Sequence, residues 1–206
     1  MILGITGGTG CGKSTLLNLI AGQGGMILDC DAIYHDLLKT DARLRDAIEA
    51  RFPGTVENGS LNRKKLGSIV FADAKALLDL NRITHGAVKE EVIRRIQSAH
   101  AVHGADESAP YEEDSRCIAI DAYGLHEGGL SELCQLTVAI TAPLPQRVAR
   151  LMARDGISEE YARARINAQK SNEEFSALCD RTLENSGTAD DFQRKCLAFL
   201  LDIGIM

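Results

Sequence analysis

Two rhythms of hydrophobic and polar positions divide this chain into strands and helices. Short apolar runs bounded by glycine or polar residues stand at Met1–Thr6, Met26–Asp29, Cys117–Asp121 and Leu136–Thr141, with a weaker one at Arg181–Glu184. Runs of this length, apolar on both faces, predict buried strands of a parallel sheet. Between them, apolar residues recur every three or four positions. Thr15–Ala21, Ala32–Lys39, Pro143–Met152 and Ala189–Ile203 carry that spacing, the last through Phe192, Leu197, Leu200 and Leu201. They predict amphipathic helices. Strand and helix in alternation predict an α/β fold, a doubly wound and largely parallel sheet of five strands.

The stretch from 41 to 103 departs from the alternation. It predicts a polar helix from Asp41 to Phe52 ended by Pro53-Gly54, a turn at Glu57-Asn58-Gly59-Ser60, and a helix from Leu61 to Phe71-Ala72. Asp73 then caps a helix reaching Ile83, Thr84-His85-Gly86 interrupts it, and a long helix runs from Ala87 to about His103 with Val88, Val92 and Ile96 on one face. No strand signal occurs here. The expectation is a helical insertion over 61–103 that serves as an acceptor-binding cap. Gly104–Ser115, with Pro110 and several acidic residues, reads as a solvated connection without chemistry.

Composition narrows the classes. A chain of 206 residues, 45% hydrophobic, makes one domain over 1–206 with an inserted cap. The net charge is -6 and no Lys/Arg block is interleaved with aromatics, so nucleic acid is not an expected partner. Six cysteines form no C-x-x-C pair and no zinc spacing, which fits reduced thiols in the cytoplasm. No apolar run is long enough to cross a membrane, and the first strand begins at residue 2, leaving no room for a leader.

The chemistry gathers at Gly7-Gly8-Thr9-Gly10-Cys11-Gly12-Lys13-Ser14-Thr15, which fits the phosphate-loop pattern G-x-x-x-x-G-K-S/T between a strand and a helix. Glycines let backbone N–H groups converge on phosphate oxygens, and the helix N-terminus adds positive charge there. Gly8, Gly10, Cys11, Gly12, Lys13, Ser14 and Thr15 are therefore expected to hold ATP. Lys13 would reach the β- and γ-phosphates, and the Ser14 hydroxyl would ligate Mg²⁺. Cys11, at a helix N-terminus, is expected to have a lowered thiol pKa.

Asp29 and Asp31 follow the second strand, Asp31 near the N-cap of the next helix, at the edge where open α/β sheets bind ligands. Asp31 is expected to be the base or the hydroxyl-orienting carboxylate of a phosphoryl transfer, a role compatible with a plain N-cap. Asp121 ends a strand as a metal-side carboxylate does in phosphate-loop enzymes. Arg147, Arg150 and Arg154 on one helix, and Arg163, Arg165 and Gln169 after the break at Gly156-Ile157, predict an arginine-bearing lid over 147–169 whose guanidinium forks suit a transferring phosphoryl group.

Taken together, these motifs resemble the dephospho-coenzyme A kinase family over nearly the whole chain. Gly4–Thr15 resembles its T-G-G-x-G-x-G-K-S-T loop, and Leu28-Asp29-Cys30-Asp31 its I-D-A-D motif. Asn58–Arg63 with Val70-Phe71 is similar to its D-G-x-L-x-R and downstream F, and Leu80–His85 to its L-N-x-I-x-H-P. Gln146–Leu151 with Arg154, and Arg165-Ile166 with Gln169, are similar to its lid and R-I-x-x-Q.

The resemblance implies transfer of phosphate from ATP, with Mg²⁺, to the ribose 3′-hydroxyl of dephospho-CoA. It implies catalytic roles for Asp31, Lys13, Arg150 and Arg154, acceptor binding by Asp31, Arg63, His85 and Glu127, and metal binding by Ser14 and Asp121. Three motifs depart from the pattern. Gly86 replaces a proline, Cys11 stands where Ser or Ala is usual, and the D-x-P-L-L-x-E segment reads Asp121-Ala-Tyr-Gly-Leu-His-Glu127. Tyr123-Gly124 leaves another nucleoside or nucleotide acceptor open. Asp121-Ala-Tyr-Gly124 also fits the D-x-x-G of a regulatory GTPase switch, although no N-K-x-D stretch accompanies it.

Overall fold

The computed structural model describes residues 1–103 and 117–206, so the Gly104–Ser115 connection lies outside the described residues. In chain order the elements are β1 (Ile2–Thr6), α1 (Lys13–Gly22), β2 (Met26–Asp29), α2 (Cys30–Thr40), α3 (Ala42–Arg51), β3 (Val56–Glu57), β4 (Ser60–Leu61), α4 (Arg63–Val70), α5 (Ala74–His103), β5 (Ile118–Asp121), β6 (Leu136–Thr141), α6 (Leu144–Asp155), α7 (Glu159–Asn167), α8 (Asn172–Leu178), β7 (Arg181–Glu184) and α9 (Ala189–Asp202).

Among the described residues the chain divides into two compact units, 1–28 with 117–126 and 130–206, and 29–103 with 127–129. The first is built on the expected five-stranded parallel sheet, in the order β2-β5-β1-β6-β7. β1 is central because both its faces are apolar. Leu3, Ile5, Val138 and Ile140 are fully buried, with Leu16 and Ile20 of α1 and Phe192 and Leu200 of α9 packed into the same core. In register, Ile5 stands beside Asp121 and Thr6 beside Ala139. Polar and glycine residues past these positions therefore collect at one edge of the sheet, where the strands end.

The second unit is helical around Leu44, Ile48, Phe52, Leu66 and Val70. Asp41 caps α3 by accepting from the Arg43 and Leu44 N–H groups, and Asn62 caps α4 by accepting from Lys65. Two expectations are corrected here. A small antiparallel hairpin, β3–β4, pairs Val56 with Leu61 and Glu57 with Ser60. Asn58 and Gly59 both take left-handed φ, 51° and 74°, as a two-residue hairpin turn requires. Two-residue strands are too short to show an alternating pattern, and Leu61 accordingly ends a strand while the helix starts at Arg63.

The second correction concerns Thr84-His85-Gly86, which does not interrupt the chain: α5 is one helix of 30 residues. The Thr84 hydroxyl donates to Leu80 O at 3.0 Å and Asn81 O at 3.2 Å, so its polar group is satisfied inside its own helix. A glycine in a helix interior costs only about 1 kcal/mol, less than a long amphipathic helix recovers by packing.

Candidate active site

In the first unit the glycine loop leads directly into α1. Gly12 adopts a left-handed φ of 98°, and a Cβ there would strike the Asn185 side chain. No side chain caps α1, so the positive end of its helix dipole is left without a side-chain acceptor. The Lys13 ammonium donates to Gly7 O at 3.1 Å and stands 3.8 Å from an Asp121 carboxylate oxygen. The structure thus brings two sequence-selected residues, from the head of α1 and the end of β5, to one place. Ser14 is exposed beside them, and Thr15 N donates to Gly12 O to begin the helix.

Cys11 overturns its expectation. Its side chain is fully buried in the sheet core, and burial pushes the thiol pKa up despite the opposing pull of Arg147 and Lys13. Desolvation of the thiolate outweighs those charges, so the loop receives only its backbone: Cys11 N donates to Gly8 O and Cys11 O accepts from Asn185.

The arginines of α6 divide their work. Arg147 is 3% exposed, donates to Thr9 O at 2.9 Å and to the Gln169 side-chain oxygen at 2.9 Å, and a Cβ on Gly8 would collide with its guanidinium. The same Gln169 oxygen accepts from Thr9 N at 2.9 Å. Arg150 donates to Gly10 O at 3.2 Å and to the Asn185 side-chain oxygen at 3.0 Å. Asn185 is buried just past β7, and its amide nitrogen donates to Cys11 O at 2.9 Å. Arg147, Arg150, Gln169 and Asn185 thereby hold three successive carbonyls of the loop, those of Thr9, Gly10 and Cys11, and the Thr9 N–H.

Arg154 is arranged differently. It donates to Asp155 at 2.7 and 3.0 Å, and Arg165 donates to the same carboxyl at 2.8 Å. The Arg154 guanidinium above all, helped by Arg165, holds Asp155 down to a pKa of about 2.

In the second unit, α2 opens at Cys30 and its N-cap is Asp29, whose carboxylate accepts from Ala32 N at 3.0 Å. This corrects the capping expectation. Asp31 is not the cap but an exposed residue of the first helical turn. Asp31 and His35 lie one turn apart on one face of α2. The Arg63 guanidinium is 3.3 Å from His35 Nδ1, and Tyr34 stacks at a tilt on His35 with its hydroxyl pKa raised by burial. His85 is half-buried in α5 and Glu127 is exposed.

Asn185 escaped the sequence reading because it follows the weakest strand in what reads as an ordinary Asn-Ser-Gly turn. Arg147 and Gln169 were visible in the lid motifs, but nothing in their spacing reveals that they brace the loop backbone. Among the described residues no group of three or more His, Cys, Asp or Glu could hold a metal, and no helix is long and apolar enough to cross a membrane.

The dephospho-CoA kinase family model matches residues 1–191. A dephospho-CoA kinase of Thermobifida fusca is 32% identical over 195 residues, 94% of this chain and 91% of the relative. A solved Thermus thermophilus protein superposes with a TM-score of 0.74 at 31% identity, covering 98% of this chain and 97% of that one. The solved dephospho-CoA kinase of Campylobacter jejuni gives a TM-score of 0.67 over 100% and 98% of the two chains, and at 24% identity bears on the fold alone.

Proposed function

We propose that this chain, which belongs to the dephospho-CoA kinase family, carries out the ATP-dependent phosphorylation of the ribose 3′-hydroxyl of dephospho-CoA, the last step of coenzyme A biosynthesis. It is a kinase, and ATP is its donor substrate. The observation that carries the reading of the site is the convergence of Lys13, Asp121 and an uncapped helix terminus at the edge where the parallel strands end.

Gly8, Gly10, Cys11, Gly12, Lys13, Ser14 and Thr15 hold the donor phosphates, and Lys13 exchanges its contact with Gly7 O for the β- and γ-oxygens. Asp31 accepts the proton of the acceptor hydroxyl as the new O–P bond forms and the bond to the ADP oxygen breaks. Arg150 and Arg154 neutralise charge developing on the transferred group. Arg63, His85 and Glu127 hold the acceptor, with 61–103 as its helical insertion and 147–169 as the lid. The donor set fits magnesium, which uses one or two protein oxygens and completes its shell with phosphates and water. Ser14 and Asp121 supply such oxygens and no all-protein cage competes among the described residues. Bound there, the ion would neutralise phosphate charge. The site requires neither nucleic acid nor membrane, and the cytoplasm is the proposed compartment.

The test is turnover with ATP across a panel of dephospho-CoA, adenosine, AMP and shikimate, with ATP and GTP titrated separately. Phosphorylation confined to dephospho-CoA is expected. Faster turnover of another acceptor would assign the Tyr123-Gly124 segment to a different substrate, and preferential GTP binding without transfer would return the chain to a switch.

A further inference from the structure

Tyr123 stands where the family pattern places proline, and in the structure it does something that proline cannot. It occupies the turn after β5, two residues beyond Asp121. Its carbonyl accepts from the Thr6 hydroxyl at 3.1 Å, at the last residue of β1 before the loop. Its ring meets the buried Phe175 edge-on, at 5.7 Å and 79°. The Lys170 ammonium lies 5.0 Å from the Tyr123 ring and 5.7 Å from that of Phe175. Its hydroxyl accepts from the Lys170 backbone N–H at 3.2 Å. The phenol therefore grips the short connection between α7 and α8 from two sides, by ring packing and by a main-chain hydrogen bond.

That connection includes Gln169. Its side-chain oxygen accepts from Thr9 N and from Arg147, which in turn donates to Thr9 O. Tyr123 thus acts on the residue next to the one that holds Thr9. We infer that Tyr123 is a positioning residue for the donor nucleotide: its hydroxyl fixes the α7–α8 connection so that Gln169 sets the conformation of the glycine loop before ATP enters.

The physical logic is pre-organisation. A loop amide held in place loses less freedom when phosphate binds, and the gain appears equally in the ground state and the transition state. Removing the hydroxyl should therefore weaken ATP binding and leave the chemical step nearly untouched. The inference rests on the proposed use of ATP as donor, so its test reads ATP binding without any acceptor.

ATP affinity is measured by calorimetry for the wild-type chain, Tyr123→Phe, Gln169→Ala and the double variant, with kcat and KM for ATP and thermal midpoints alongside. Tyr123→Phe keeps the ring on Phe175 and loses only the acceptor. It should weaken ATP binding about 2- to 10-fold, the size of one net hydrogen bond, with the thermal midpoint nearly unchanged because Lys170 N–H can turn to water. KM for ATP should rise by the same factor with kcat within about twofold. The double variant should bind no worse than Gln169→Ala alone, because both changes cut one chain of contacts. Wild-type ATP affinity in Tyr123→Phe, a fall in thermal midpoint without a fall in affinity, or additive effects in the double variant would overturn the inference. A wild-type chain that fails to bind ATP would overturn the donor assignment as well.

Discussion

Replacing Asn185 by alanine is the sharpest probe of how the loop is held. The substitution removes the amide nitrogen 2.9 Å from Cys11 O and the amide oxygen that accepts from Arg150 at 3.0 Å. Asn185 is 5% exposed, so water does not readily replace either contact. A neutral hydrogen bond contributes about 0.5–1.5 kcal/mol net, and leaving a buried carbonyl without its donor costs about 1–3 kcal/mol. Arg150 keeps Gly10 O and Gln146, so its loss sits at the low end of the charged range. The expected destabilisation is about 2–4 kcal/mol, within the stability of an ordinary domain, so the variant should fold with a thermal midpoint lower by roughly 4–16 °C.

Asn185→Asp separates the two contacts. The carboxylate still pairs with Arg150 but turns an acceptor toward the Cys11 carbonyl, so loop disorder should persist while the arginine contact is restored. The assay is urea unfolding paired with ATP titration. Both variants should bind ATP at least tenfold more weakly, since each leaves the Cys11 carbonyl of the loop without its anchor. A loss below about 0.5 kcal/mol together with normal ATP affinity would refute the assignment of Asn185 as the loop's buried anchor.

Lys13→Ala should lower turnover by at least about a hundredfold with helicity intact, because the ammonium is partly exposed and bonds to the loop rather than to the core; circular dichroism and a turnover assay check it, and a near-normal rate would displace Lys13 from the transfer step. Asp31→Asn should cost roughly a hundred- to ten-thousand-fold in turnover and little in ATP affinity, and with Asp29 as the true cap α2 should be unaffected; a loss under about tenfold would move the base elsewhere. Burial raises the thiols of Cys117 and Cys196 to about 11 from an ordinary 9.0. Unfolded thiols lose their protons first, so this stabilisation is complete below pH 9 and is lost as pH rises toward 11. Urea midpoints should fall between pH 9 and pH 11, more shallowly in Cys196→Ala; parallel curves would exclude the thiols as the cause. Cys11, buried with a raised pKa, should resist alkylation in the native protein, as mass spectrometry after maleimide treatment would register.

Much of the first unit was legible in the sequence because its signals are local. Four apolar runs and a glycine loop specify a parallel sheet without knowledge of what each strand meets. Lys13 and Asp121 were both selected from the chain, and the register of β1 with β5 brings them together. What stayed hidden depends on tertiary pairing. The sign of the Cys11 shift is decided by how deeply its side chain sinks, which a helix-terminus rule does not contain. The cap of α2 fell to Asp29 rather than Asp31 because the helix begins two residues earlier than the apolar pattern suggests. Gly86 looked like a break because its intrinsic cost is visible and the packing of α5 that offsets it is not.

The strand order has a consequence for the birth of the molecule. β1 precedes every other strand in the chain and is the middle strand of the finished sheet, yet its neighbours begin at Ile118 and Leu136. At about 5–20 residues per second, the nascent Ile2–Thr6 waits on the order of ten seconds for a partner. Helices from α2 onward can form behind it in that interval from contacts near in sequence. A chain stalled before Leu136 holds its most apolar strand beside one neighbour at most, and it is this half-made edge, rather than any helix, that a chaperone at the tunnel exit would meet.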